Sequence, residues 1–298
     1  DSVNATYTAH ITDWLDFFGD GYWSQRNFRR LSGYQNGSFV VPETNAFFVR
    51  PTGTTGPVTA QLLLGDFGNQ EVSGFTRSWQ TTNGLRARFG GWEVTGQISW
   101  GRGRDESDSY SGIDTAAMQA ALASSDPATA YDPFGLHRTT PETLARLNNR
   151  IFLAPTLSRM TDAQLSVNGT LLSLPGGDLK LAAGYERLED EVALGLARGA
   201  PTTPVTYRDF DRQVDSAYGE LLIPIFGPDN AIPGIQRLEV SAALRYDRYS
   251  DVGDTTNPKI GVNWTPVHGV TLRGSYGTSF RAPLFSQIYG NSSALFVQ

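Results

Sequence analysis

In the stretch Trp92-Glu93-Val94-Thr95-Gly96-Gln97-Ile98-Ser99-Trp100-Gly101, apolar and polar residues alternate without a break. Successive side chains of a β-strand point to opposite faces, so a period of two sorts these residues onto two sides of one sheet. Trp92, Val94, Gly96, Ile98 and Trp100 share one side, and Glu93, Thr95, Gln97 and Ser99 the other. The two tryptophans bracket the apolar side. At about 3.3 Å per residue the step between them is about 26 Å along the strand, and less once the strand is tilted. That is close to the lipid-facing band of a membrane β-barrel, about 25 Å tall and edged by aromatic girdles.

The same division recurs along the chain. Leu85, Ala87 and Phe89 oppose Arg86 and Arg88. Leu179, Leu181, Ala183 and Tyr185 oppose Lys180, Ala182 and Glu186. Leu238, Val240, Ala242, Leu244 and Tyr246 oppose Arg237, Glu239, Ser241, Ala243 and Arg245. Ile260, Val262 and Trp264 oppose Lys259, Gly261 and Asn263, and the run from Val270 through Leu272 and Tyr276 to Phe280 opposes Thr271, Arg273, Ser275 and Arg281. A soluble sandwich also alternates. The charged residues on the polar sides, however, suit an aqueous lumen, and the connections alternate in length. Gly90-Gly91, Pro175–Gly177 and Pro266–Gly269 predict tight turns. Between them fall a long insert at about 105–160 and a shorter one at about 193–208, the pattern of short periplasmic turns and long outer loops. Phe226–Ile235 is a longer, Pro-containing link where a short turn is expected. Leu221-Leu222-Ile223 interrupts the alternation of the strand before it.

Inside the long insert, Ile113–Ala123 is Ala-rich and predicts a short helix. Pro141–Asn149 predicts another helical turn with Thr140 as its N-cap. Ser124–Gly135 is turn-rich. Before residue 70 the pattern is hard to read: strands are expected there, Asp13–Tyr22 is aromatic and Gly-rich, and Pro51–Pro57 is a loop.

Composition supports a wall rather than a packed globule. Of 298 residues, 18% are charged and 39% hydrophobic, with 32 glycines, both fractions below the globular average. No run of 18 apolar residues predicts a membrane-spanning helix. There is no Cys, which excludes disulfides and thiolate metal sites. His10, His137 and His268 are too scattered in sequence to suggest a His-rich metal site. A net charge of −6 without a linear basic cluster argues against nucleic acid as a partner. Asp1–Ala5 lacks the basic-then-apolar pattern of a signal peptide. A secreted barrel is therefore expected to have lost its leader or to begin further upstream.

From Tyr218 to Gly290 the residues resemble a TonB-dependent outer-membrane receptor. Glu220–Pro224, Leu244–Ser250, Thr256–Gly261 and Asn263–Pro266 resemble consecutive segments of that family. Arg273–Pro283 is the most specific match, with Phe280, Arg281, Ala282 and Pro283 as its hallmark run. Ser125–Ala130 and Asp132–Gly135 resemble a long outer loop of one branch. The likeness is strong over the last quarter, fair over about 75–190 and weak before that. It implies a 22-stranded barrel closed by a plug domain, with TonB supplying energy and an extracellular nutrient such as a siderophore, cobalamin or oligosaccharide as ligand. No stretch resembles the plug, and the family continues with further strands past Gln298. The expected fold is thus all-β: an antiparallel transmembrane β-barrel, incomplete, with roughly nine or ten strands of a larger barrel over residues 1–298 and a long, partly helical extracellular loop. Outer-membrane lipid, TonB acting through a plug, and the nutrient are the expected partners.

No catalytic constellation, cofactor site or metal site is expected. Gly101–Arg104 lacks the third glycine of a phosphate loop and ends an amphipathic strand. Glu189-Asp190-Glu191 reads as a solvated acidic rim. Asp247, Asp251 and Asp254 do not match an EF-hand loop and would at most hold a Ca²⁺ loosely at the rim. Ligand recognition is expected on the outer loops, with Tyr131, Phe134, His137 and Arg138 as candidates: aromatics to stack on a planar or sugar-like ligand, and Arg138 to pair with an anionic group. The competing role for Tyr131 and Phe134 is packing of the loop on itself. The hallmark run is expected to be structural, with Pro283 at a strand end and Arg281 on the polar face. The rival readings are a soluble all-β enzyme or carbohydrate-binding module, which would bury Trp92, Trp100, Trp264 and Tyr276, and a passive porin without plug or energy coupling.

Overall fold

The computed structural model describes residues 1–289. In chain order the strands are β1 (Ser2–Thr12), β2 (Leu15–Tyr34), β3 (Asn36–Val41), β4 (Val58–Leu63), β5 (Asn69–Phe89), β6 (Trp92–Ile113), β7 (Asn148–Leu153), β8 (Thr156–Leu174), β9 (Gly177–Gly199), β10 (Thr206–Phe226), β11 (Arg237–Tyr249), β12 (Gly253–Val267) and β13 (Val270–Gly277). Helices α1 (Thr115–Ala123) and α2 (Pro141–Leu147) lie between β6 and β7, and α3 (Phe285–Tyr289) follows β13. Eleven of these strands form one antiparallel meander, and β3–β4 form a separate hairpin. β7 and β8 follow one another along the same position between β6 and β9, so the eleven strands make ten rungs, within the expected range.

Register joins the six alternating runs on one face. Trp92 stands opposite Phe89, Val94 opposite Ala87 and Gly96 opposite Leu85. Gly96 is also opposite Leu165, which is opposite Tyr185. Ala217 links Tyr185 to Tyr246, and Val240 is opposite Val262. Within the run at 221–223, Leu221 and Ile223 join this greasy face, whereas Leu222 is opposite Lys180 on the polar one.

Burial on the two faces is inverted relative to a protein folded around a core in water. On the greasy face Leu165 is 56% exposed and Leu244 52%, and Trp100, Trp264 and Tyr276 are exposed too. On the polar face Ser216 is 2% exposed and Asp247 6%, with Asp16, Thr82 and Ser99 also buried. Side chains on a concave surface converge and shield one another, and those on a convex surface splay apart, so the sheet curls toward its polar face. The interior tryptophans of a two-layer soluble fold are not found. The crowded polar side is cross-linked. Ser216 donates to Asp247 at 2.6 Å, Arg245 bridges Asp247 and Glu186 at 2.7 and 2.9 Å, and Arg88 reaches Asp16 at 2.8 Å. Charges removed from water this way persist only because they are paired.

One end of the sheet is closed tightly. Between β5 and β6 the chain reverses through Gly90 and Gly91 with φ of 55° and 82°, the doubly positive conformation of a two-residue hairpin turn that a Cβ would oppose. The link from Phe226 to Arg237 is longer but ordered: Asn230 caps it through Gly227 N–H and Ile225 C=O, and Trp264 Nε1 donates to Gly234 O at 3.0 Å. At the other end the strands run far past any membrane. β6, with 22 residues, is roughly 70 Å long, against the 9–11 residues a bilayer crossing needs. The insert expected at about 105–160 is therefore strand at both ends, and the connection proper spans only 114–147. Likewise the loop expected at 193–208 shrinks to 200–205. Strands above a membrane meet water on both faces, so their alternation fades.

Candidate functional site

The long-loop end carries a compact cap built from two connections distant in sequence, β2 to β5 and β6 to β7. Val41, Leu62 and Leu64 from the first pack with Met118, Ala121, Leu122, Tyr131 and Leu147 from the second in a closed hydrophobic cluster. The buried Asn45 stitches them together: its side-chain amide donates to Leu122 O at 2.9 Å and to Tyr131 O at 3.1 Å. Asp114 caps α1 by accepting from the Ala116 and Ala117 amides, and Thr140 caps α2 by accepting from the Thr143 amide, so both helix starts follow the expected chemistry.

The four candidate residues lie on the outer loop of this cap, with different roles. Tyr131 is 3% exposed and stacks on Phe67 at 6.0 Å. It belongs to the cap core, and burial pushes its hydroxyl pKa up. Of the two roles weighed for Tyr131, the structure shows the packing one: its ring fills the cluster where the two connections meet. Phe134, by contrast, is 45% exposed, and Leu136 beside it is exposed as well. His137 is held in the left-handed region at φ 55°, a strained conformation for a residue with a Cβ. Its Nδ1 is bonded to Asp66 on the other connection at 2.5 Å, which clasps the cap shut while leaving the ring exposed.

Arg138 is fixed by Asp132. The fully buried Asp132 carboxylate receives Nε and Nη2 of Arg138, each at 2.9 Å, together with the backbone N–H groups of Phe134 and Leu136 at 3.1 Å. Burial alone would raise this carboxyl, but the guanidinium and the Phe134 amide outweigh it and hold Asp132 below the ordinary carboxylate range. The pair shapes residues 132–138 into one rigid turn. The guanidinium also lies over the Phe47 ring, 4.5 Å from its centroid, in cation–π range. The surface offered outward is therefore Phe134, Leu136, His137 and the Arg138–Phe47 stack. Sequence reasoning missed Phe47, Asp66 and Asp132. The turn-forming Asp132-Pro133 pair was the one available signal, since an Asp there commonly bonds the amides that follow it.

The hallmark run does something the alternation did not foretell. β13 ends at Gly277, so Phe280 and Arg281 are not strand residues. Phe280–Pro283 instead crosses the polar face near the outer ends of β10 and β11. Phe280 meets Tyr249 edge-on at 5.6 Å, Phe285 stacks on Phe210 at 5.8 Å, and Pro283 O accepts from Arg212 Nη2 at 2.9 Å. Arg212 is itself clamped by Asp251 at 2.7 Å. Arg281 is exposed and forms no ion pair among the described residues. Asp247 and Asp251 each hold an arginine, and Asp254 accepts from Tyr246 at 2.8 Å, so the three carboxylates are committed to different partners.

A ten-rung antiparallel wall, greasy on its convex side and polar on its concave side, with tight turns at one end and a folded cap at the other, defines an outer-membrane barrel protein. The family model for the TonB dependent receptor-like β-barrel matches residues 2–297, and the chain belongs to that family. A search of the curated proteins finds no match. Among solved structures, the chain is similar to one described as the structure of the RagAB peptide transporter. The identity is 12%, the TM-score is 0.55, and the match covers 93% of this chain and 32% of that one. At that identity the likeness shows the fold alone, and this chain spans about a third of the length of the structure it matches.

Proposed function

We propose that the chain forms part of the wall and outer rim of a TonB-energised receptor that imports a large nutrient across the outer membrane of a Gram-negative bacterium. The observation that carries this is the inverted burial: leucines and tryptophans exposed on one face, paired charges sheltered on the other. Hydrocarbon makes such a face favourable, at about 25 cal/mol per Å² of apolar surface kept from water. Closure of the barrel by further strands leaves no unpaired edge. The cap is the first element an incoming ligand meets. Phe134, His137 and the Arg138–Phe47 stack suit a ligand with a planar or sugar-like surface and an anionic group, and siderophore, cobalamin and oligosaccharide are the candidate classes. TonB acts through a plug domain seated against the polar face.

These 298 residues hold no cysteine, so a cysteine placed among them can be labelled and read against the unsubstituted parent protein. Phe134→Cys and His268→Cys variants of the intact protein are expressed in cells and exposed to a membrane-impermeant maleimide. Labelling of Phe134→Cys in whole cells, with His268→Cys labelled only after the outer membrane is opened, is the expected result. Equal labelling of both in whole cells contradicts the orientation.

A further inference from the structure

The register assembles a basic site that the linear sequence conceals. Arg77 of β5 stands directly opposite Arg104 of β6, and Arg102 of β6 directly opposite Arg159 of β8. Arg102 and Arg104 are two residues apart on one strand and so share a face, which makes a cluster of four guanidiniums on three neighbouring strands. Like charges directly opposite in a sheet destabilise it, and two such pairs side by side call for an anion. The local supply falls short. Arg104 pairs with Glu106, Arg159 lies 3.6 Å from Glu191, and Arg77 donates to the neutral Gln25 at 2.9 Å. Arg102 has no ion pair or hydrogen bond to any described residue. All four are exposed and line one half of an open cavity of about 860 Å³. The other half is acidic, with Glu189, Asp209 and Asp211, which confines an anion to the β5–β8 end.

The position selects the ligand. Arg102 is opposite Trp79, which is opposite Trp23, so Arg102 and Arg159 continue a tryptophan row on the greasy face, and Arg77 and Arg104 stand one same-face step outward of it. Trp100 is followed two residues on by Arg102, Tyr185 by Arg187 and Tyr246 by Arg248. On each of these strands an aromatic gives way to a cation where the hydrocarbon band would end. A soluble nutrient would be met at the cap or on the concave side. A phosphate presented beside the convex face at this height belongs to a molecule anchored in the membrane.

We propose that Arg77, Arg102, Arg104 and Arg159 bind the phosphate groups of an anionic glycolipid of the outer leaflet. The forked guanidinium matches phosphate oxygens in bidentate fashion, and Trp79 and Trp23 sit against the top of the lipid's apolar portion. This rests on the reading of the chain as a membrane-embedded wall. The test uses the intact protein in detergent with three probes: diphosphorylated lipid A, the same lipid stripped of phosphate, and inorganic phosphate. The Arg102→Gln/Arg159→Gln variant should lose at least about tenfold in affinity for the phosphorylated lipid, the worth of a charge-assisted hydrogen bond. It should bind the stripped lipid like the parent protein. The single Arg102→Gln variant, which breaks no described contact, should lose affinity in the same direction and serves if the double variant does not fold. Unchanged affinity for the phosphorylated lipid overturns the proposal. So does competition by inorganic phosphate as effective as that by the lipid at equal phosphate, which would assign the site to a soluble anion. Failure of the parent protein to insert into bilayers, read from heat-modifiable gel mobility, overturns the membrane reading itself and is separable from both.

Discussion

The sheet and the cap obey opposite burial rules within one chain. In the cap, Met118, Leu122 and Leu147 are wholly buried, as expected of a unit folded in water. In the sheet, Leu85, Leu165 and Leu244 are exposed while Ser216 and Asp247 are buried. The difference shows that two solvents shaped one polypeptide. The cap holds itself together by hydrophobic burial, because water surrounds it. The sheet gains nothing from burying its leucines, so backbone ladders and a network of paired charges on the concave side fix its shape. It also means that the same substitution carries different costs in the two regions.

The comparison breaks most readily at Leu122. Leu122→Ala in the cap core should destabilise the cap by about 2–5 kcal/mol, read as faster hydrogen exchange over α1 with the sheet unaffected. Slower exchange, or loss of the sheet as well, would mean that the cap is not an independent unit. Leu165→Arg places a charge on the greasy face near mid-band and should cost about 2–4 kcal/mol in bilayers, measured by reversible unfolding from vesicles. A neutral result would show that this face meets water. Asp132→Asn leaves Arg138 without its counter-charge and should cost the cap about 1–3 kcal/mol. Because the folded Asp132 carboxyl is held below its ordinary value, its contribution is complete above about pH 4 and is lost as the pH falls further. Exchange over 132–138 should accelerate on acidification in the parent protein and be insensitive to pH in Asp132→Asn once intrinsic exchange rates are divided out.

The membrane-height part of the wall was legible because each strand there faces two different solvents, which writes a period of two into Trp92–Gly101 and into the runs near Leu85, Leu179, Leu244 and Ile260. Helix starts were legible at Thr140, and the helix itself at α1, because capping and helix propensity are local. β1 and β2 were not. In β2, Phe17 and Trp23 lie on the greasy face, but Phe18 and Tyr22 stand on the polar one opposite Gly84 and Gln80, and aromatics on both sides erase the alternation. The upper strands read as loop for a related reason: Asp105–Ser109 is polar on both faces. The cap core and the arginine quartet join residues tens of positions apart, and only register and tertiary packing bring them together. The sequence places the four candidate ligand residues on one loop but does not say which rings turn inward. Tyr131 and Phe134 are three residues apart and equally aromatic, and their fates are set by Phe67 and Asp132.

A nitroxide placed at Leu165 and, separately, at its neighbour Gln164 tests the two-solvent account most directly, with the intact protein in bilayers and relaxation read against oxygen and a water-soluble nickel complex. The account predicts that the probe at 165 meets oxygen and is hidden from nickel, and that the probe at 164 shows the reverse. A nickel-accessible probe at 165, or one shielded from both reagents by a second layer of protein, would contradict it.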